Sequence, residues 1–168
     1  MACLVLPPGG SAEAEALAAA RVFAIPGALL APSVNVPGSA ALGSAAPGQT
    51  VSVDLGQVRV TNGGSRNWTA AVSASDLKTG SGTALQTIPK DQISYWSGPL
   101  VSKTGPGTNT PGQPAKANKE KLNTQRVAFT YAGNGVAATA TYRPSLEVSV
   151  PVAAVAGTYT GTLTHSVA

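Results

Sequence analysis

The stretch YRPSLEVSVPVAAVAGTYTGTLTHSVA, residues 142–168, decides the fold class because its second half alternates between two kinds of side chain. One side carries Tyr159, Gly161, Leu163, His165 and Val167, and the other carries Thr158, Thr160, Thr162, Thr164 and Ser166. A period of two places successive side chains on opposite faces of a β-strand. We therefore predict two strands joined by a short connection, with the second strand half-buried.

Similar short runs recur upstream and are separated by turn-rich segments. Predicted strands cover residues 29–36, 50–60, 67–74, 88–96, 126–131, 138–142 and 146–150. Gly56 interrupts the second of these runs and predicts a bulge, where the register slips by one residue. Seven to nine short strands with Gly- and Pro-rich turns predict an all-β fold, an antiparallel Ig-like or Greek-key sandwich.

Composition favours a weakly charged protein that works outside the cell. Charged residues make up 11% of the 168, less than half of the roughly 25% found in average soluble domains. Polar residues of the Ser, Thr, Asn, Gln and Gly type must then form the surface. The net charge of +4 favours polyanionic partners, but the basic residues are too sparse for a dedicated nucleic-acid surface, so we expect no nucleic-acid partner.

The chain length predicts one folded domain with an N-terminal extension. Residues 1–27 are predicted to be a leader or arm, either disordered or containing a short helix over 12–23 capped by Ser11. Residues 28–168 form the sandwich, in which 97–122 is predicted to be a long loop. The single Cys3 excludes an internal disulfide, and the sequence shows neither a membrane-spanning run nor a recognisable export signal.

Catalytic and metal-binding constellations are not evident in the sequence. His165 is the sole histidine and falls in a strand row that predicts packing, and the three aspartates Asp54, Asp76 and Asp91 stand far apart in the sequence. Zinc would require several Cys or His ligands, and calcium would require clustered carboxylates. We therefore expect no enzyme activity, no cofactor and no metal.

The candidate binding surface combines aromatic residues with the only local group of basic residues. Its members are Tyr95, Trp96, Lys116, Lys119, Lys121 and Arg126. Exposed Trp and Tyr side chains can stack on sugar rings or anchor a partner. The alternative interpretation of the basic residues is a solvated loop, and that of Trp68 and Tyr142 is packing in the core.

Four blocks of the chain, in this order, resemble the WxL-type cell-surface domain of Gram-positive bacteria, in an actinobacterial-like variety. They are GQTVSVDLGQVRVTN (48–62), NWTAAVSASDL (67–77), IPKDQISYWSGP (88–99) and the terminal block from residue 141. Trp68 and Tyr142 are the motif aromatics, with Ala70 where the family has Leu and Tyr142 where it has Trp. The resemblance implies a β-sandwich, export, and noncovalent association with peptidoglycan.

These observations leave more than one class of function open. The first is a noncatalytic extracellular module that binds a cell-wall polymer, either peptidoglycan or an anionic polysaccharide, or another surface protein. The second is a structural subunit that assembles with its own copies into a fibre or surface layer, with residues 1–27 as an exchanged arm. A polysaccharide-cleaving enzyme is a weaker third, since no pair of carboxylates stands out.

Overall fold

A computed structural model describes residues 2–5, 13–14 and 31–168, and in this part of the chain the regular structure is β. The strands are β1 (Ala2–Val5), β2 (Glu13–Ala14), β3 (Ser33–Asn35), β4 (Gly43–Ser44), β5 (Thr50–Asp54), β6 (Val58–Asn62), β7 (Asn67–Ala74), β8 (Leu77–Lys78), β9 (Thr87–Ile88), β10 (Ile93–Trp96), β11 (Leu100–Thr104), β12 (Thr108–Pro111), β13 (Glu120–Lys121), β14 (Arg126–Ala132), β15 (Ala138–Tyr142), β16 (Ser145–Ser149) and β17 (Thr160–Val167). Three short 3₁₀ turns cover Ala84–Gln86, Lys90–Gln92 and Lys116–Asn118. The described residues include no helix long and apolar enough to cross a membrane.

The strands form two walls around one core, so the prediction of an all-β antiparallel sandwich is confirmed. One wall is a seven-stranded sheet in the order β12-β14-β7-β17-β8-β9, with β1 also paired to β17. The other wall consists of two four-stranded sheets, β13-β10-β16-β5 and β11-β15-β6-β3. Phe129 of the first wall stacks on Tyr142 of the second, with ring centroids 4.7 Å apart.

The terminal strand follows its predicted alternation. Leu163 and His165 of β17 are buried, as is Tyr159 just before it, whereas Thr160 and Ser166 are exposed. The inward row packs into the core, and the hydroxyl residues of the other row face water, as is common for an antiparallel sheet. The sequence pattern and the burial therefore agree along this strand.

A crease divides the second wall where three neighbouring chain stretches each pass from one four-stranded sheet to the other. The breaks fall between β5 and β6, between β10 and β11, and between β15 and β16. At the first break, three residues separate Asp54 from Val58 while two separate their partners Tyr142 and Ser145, so the predicted register slip is present. Gly56 supplies the positive φ of 82°.

Gly98 lies on the same crease and leaves no space for a side chain. Its φ is 70°, and a Cβ atom at this position would lie 2.6 Å from the backbone oxygen of Arg143. Pro144 follows Arg143 in the link between β15 and β16, and its oxygen accepts a hydrogen bond of 2.9 Å from the Leu55 N–H. The crease is therefore held by backbone contacts between the adjacent links that join the two sheets.

Two predictions about irregular segments differ from the structure. The predicted loop over 97–122 is wrong in its first half, because β11 pairs with β15 and β12 pairs with β14. These strands are rich in Ser, Thr, Lys and Asn, so they lack the apolar alternation that identifies a strand. Glu13 and Ala14 pair with Ser44 and Gly43 as strands, which contradicts a helix at these two positions; the other residues of the predicted 12–23 helix lie outside the described residues.

Candidate ligand-binding surface

Strand β10 turns one half of its side chains into the core and the other half outward. Ile93 and Tyr95 are completely buried, whereas Ser94 and Trp96 are half-buried. Directly opposite residues of antiparallel strands share a face, so Trp96 lies in a row with Ser145 and, one strand further, Asp54. We call this outer surface of the β13-β10-β16-β5 sheet the Trp96 face.

The neighbouring row of the Trp96 face contains a buried carboxylate. Glu147 of β16 lies opposite Ser94 and is only 7% exposed. Its carboxylate forms ion pairs with the ammonium groups of Lys116, at 2.7 Å, and Lys119. Burial alone would raise the pKa of Glu147, but the hydrogen bonds and positive charges of the two lysines outweigh it and lower the pKa below its usual value.

A short exposed segment, the strap, crosses this face and brings the lysines to Glu147. All residues of the strap, 114–121, are exposed. The residues that flank it, Gln113 and Leu122, are buried. The Ser97 hydroxyl donates to the main-chain oxygen of Gln113 at 3.0 Å, and the Leu122 N–H donates to the main-chain oxygen of Ile93 at 2.8 Å. The strap is thus fixed at its ends and solvated between them.

Lys116 also contacts the indole of Trp96. Its ammonium nitrogen lies 5.8 Å from the centroid of the ring. A cation at this distance is attracted by the negative face of the indole. The Trp96 ring is therefore partly exposed and has the Lys116 ammonium over it.

The predicted basic residues are brought together, and two carboxylates neutralise half of their charge. Lys116 and Lys119 pair with Glu147, and Arg126 pairs with Glu120 at 3.2 Å. Among the described carboxylates, none is within ion-pair distance of the remaining member, Lys121. Four cations and two carboxylates leave a net charge of +2 on this surface.

Tyr95 does not belong to the surface, so its inclusion in the candidate set is wrong. Its side chain is in phase with Ile93 and points inward, where its ring meets that of His165 with centroids 5.9 Å apart. Trp68 and Tyr142 are also buried, which confirms their interpretation as core residues. Trp68 stacks on Tyr131 at 5.6 Å.

Glu147 is a residue of this surface that the sequence pattern did not single out. It is the only acid within the run SLEVS, and the burial of Leu146 and Val148 places it on the outer face. The same period of two that identified the strand could have shown that Glu147 points outward. Its partners lie 28 and more residues away in the chain, which local patterns do not reveal.

The aspartates serve local contacts and do not converge on one catalytic site. Asp54 pairs with the Arg143 guanidinium at 2.6 Å, and the Asp76 carboxylate accepts the Lys90 N–H at 2.9 Å. Asp76 and Lys90 also line an open cleft of about 490 Å³ beside the start of β17. Within residues 31–168 and the two short N-terminal strands, no group of three His, Cys, Asp or Glu side chains could hold a metal ion.

The Trp96 face carries groups that are suited to stacking and hydrogen bonding. It offers the indole, the hydroxyls of Ser94 and Ser145, and the ammonium of Lys121 on one sheet surface. Such a combination of a flat apolar ring and fixed polar groups suits a carbohydrate better than a purely apolar ligand. A comparison of the chain with models of known protein families and with curated proteins finds no match.

Proposed function

We propose that this protein is a noncatalytic module at the bacterial cell surface that binds a cell-wall polymer, as the resemblance to WxL-type domains implies. The observation that carries the proposal is the position of Trp96, partly exposed on a polar sheet face with the Lys116 ammonium over its ring. The weakly charged composition supports an extracellular location. Peptidoglycan is the preferred ligand, with an anionic polysaccharide as its alternative.

Recognition would depend on shape and polar contacts more than on net charge. A sugar ring has an apolar face that can lie on the Trp96 indole, and its hydroxyls can bond to Ser94 and Ser145. Because Glu147 neutralises one of the two charges of Lys116 and Lys119, the attraction for a polyanion comes from the remaining net charge of the surface, to which Lys121 contributes. Binding should then weaken only modestly with salt.

Replacement of Trp96 with Ala is expected to reduce sedimentation with purified peptidoglycan at least tenfold, because the stacking surface is lost. Trp96→Phe should retain part of the binding. Val101→Ala is the matched control, since Val101 is 49% exposed on β11, beyond the crease. The proposal is contradicted if Trp96→Ala, with an unchanged circular-dichroism spectrum, still sediments like the unmodified protein.

Assembly into a fibre or surface layer is the second candidate, and the pairing of β1 favours it. Ala2–Val5 adds as a strand to β17, with Cys3 opposite Thr162. Main-chain pairing at a sheet edge is the means by which an arm of one copy can join another copy. The arm predicted in residues 1–27 would act in this way.

A Thr162→Cys variant distinguishes pairing within one chain from exchange between copies. Opposite residues of antiparallel strands lie about 4.5–5.5 Å apart between Cα atoms, which permits a disulfide with Cys3. Within one chain the product runs as a monomer in a non-reducing gel, and this outcome contradicts exchange. Exchange gives covalent dimers or a ladder that the Cys3→Ser control lacks.

A further inference from the structure

Three polar side chains from three strands meet in the middle of the sandwich. They are Tyr95 of β10, Tyr142 of β15 and His165 of β17, so both walls contribute. The His165 ring lies 5.9 Å from that of Tyr95 and 6.5 Å from that of Tyr142, measured between centroids. All three side chains are buried in the core, and the two phenol rings and the imidazole are neighbours.

None of the three polar atoms has a hydrogen-bond partner among the described protein groups. These atoms are the Tyr95 hydroxyl, the Tyr142 hydroxyl and Nδ1 of His165. Buried polar atoms are nearly always hydrogen-bonded, to protein or to ordered water. The other two tyrosines follow that rule, because the Tyr131 hydroxyl donates to the Pro106 oxygen and the Tyr159 hydroxyl to the Val155 oxygen.

We infer that these three atoms form a binding site for one internal water molecule that joins the two walls of the sandwich. A water oxygen accepts the two phenol O–H groups, and one water hydrogen is donated to Nδ1 of His165. Three hydrogen bonds are typical of a buried water. The neutral imidazole then carries its proton on Nε2.

The state of the imidazole agrees with this site. Burial lowers the pKa of His165 to about 4, so the ring is neutral at pH 7 and Nδ1 can accept a hydrogen bond.

A high-resolution crystal structure of the unmodified chain tests the site directly. We expect a well-ordered water about 2.7–3.2 Å from the two hydroxyl oxygens and from Nδ1. If the density shows the hydroxyls bonded to protein groups, or no peak between the three atoms, the inference is overturned.

Urea unfolding of Tyr95→Phe, Tyr142→Phe and the double variant gives a second, independent test. With a shared water, each single substitution should raise the unfolding constant about fivefold, the effect of one lost hydrogen bond. The double variant should raise it by much less than the product of the two, because both act on the same water. Tyr131→Phe is the control, since its hydroxyl has a known protein acceptor.

A core without this water predicts a change in the unfolding constant of the opposite sign. Without the water, each Phe would remove a desolvated hydroxyl, and the unfolding constant would fall with independent effects of the two substitutions. That result would overturn the inference. The test uses folding and crystallography alone, so it does not depend on the proposed binding of a polymer.

Discussion

Acidification from pH 7 to pH 4 is expected to lower the free energy of unfolding by about 3 kcal/mol through His165 alone. This residue is buried beside Tyr95 and Tyr142, and burial lowers its pKa from 6.5 to about 4. Between these two values the unfolded chain binds a proton that the folded chain does not. The stabilisation is therefore complete above pH 6.5 and is lost progressively as the pH falls to 4.

Urea denaturation at a series of pH values measures this effect, with His165→Gln as the comparison. The variant should be less stable at pH 7 but nearly independent of pH between 6.5 and 4.5. Glu147 contributes in a lower range, because its lowered pKa makes its stabilisation fall only below the usual carboxyl value. Equal slopes for both proteins between pH 6.5 and 4.5 would show that His165 is not responsible.

Replacement of Phe129 with Ala is expected to destabilise the fold by about 3–5 kcal/mol. The Phe129 ring is completely buried in β14 and stacks on Tyr142 of the opposite wall. Its removal would lose apolar burial and leave a cavity between the walls that the rigid strands cannot fill. The loss would be a large part of the stability of a single domain.

The matched control for this variant is Val127→Ala in the same strand. Val127 is 45% exposed, so its truncation should change the free energy of unfolding by less than about 0.5 kcal/mol. Both variants are compared by urea unfolding monitored by circular dichroism. A loss below about 1.5 kcal/mol for Phe129→Ala would contradict the assignment of its ring to the centre of the core.

Alternation of side chains predicted the fold class and several buried residues correctly. The pattern of β17 separates inward from outward side chains, and the structure buries Leu163 and His165 as expected. This succeeds because a strand with one face in the core has one acceptable register. Grouping Tyr95 with Trp96 ignored the same rule, since adjacent residues of a strand point to opposite faces.

Other features depend on contacts between distant parts of the chain, which the sequence pattern does not show. β11 and β12 are recognisable only through their partners β15 and β14, because their own residues are mainly polar. Glu147 of β16 pairs with both Lys116 and Lys119 of the strap and neutralises one of their two charges. The composition gives the number of charged residues, but only the ion pairs of the folded chain show which charges remain available to a ligand.

The crease at Gly56, Gly98 and Pro144 limits the footprint available to an extended ligand. It ends the regular surface of β10 after four residues, a reach of about 13 Å along the strand. Across the four strands of that sheet the width is about 14 Å. A long polymer would thus touch the Trp96 face over a short oligosaccharide segment, and tight attachment to a wall would require many copies acting together.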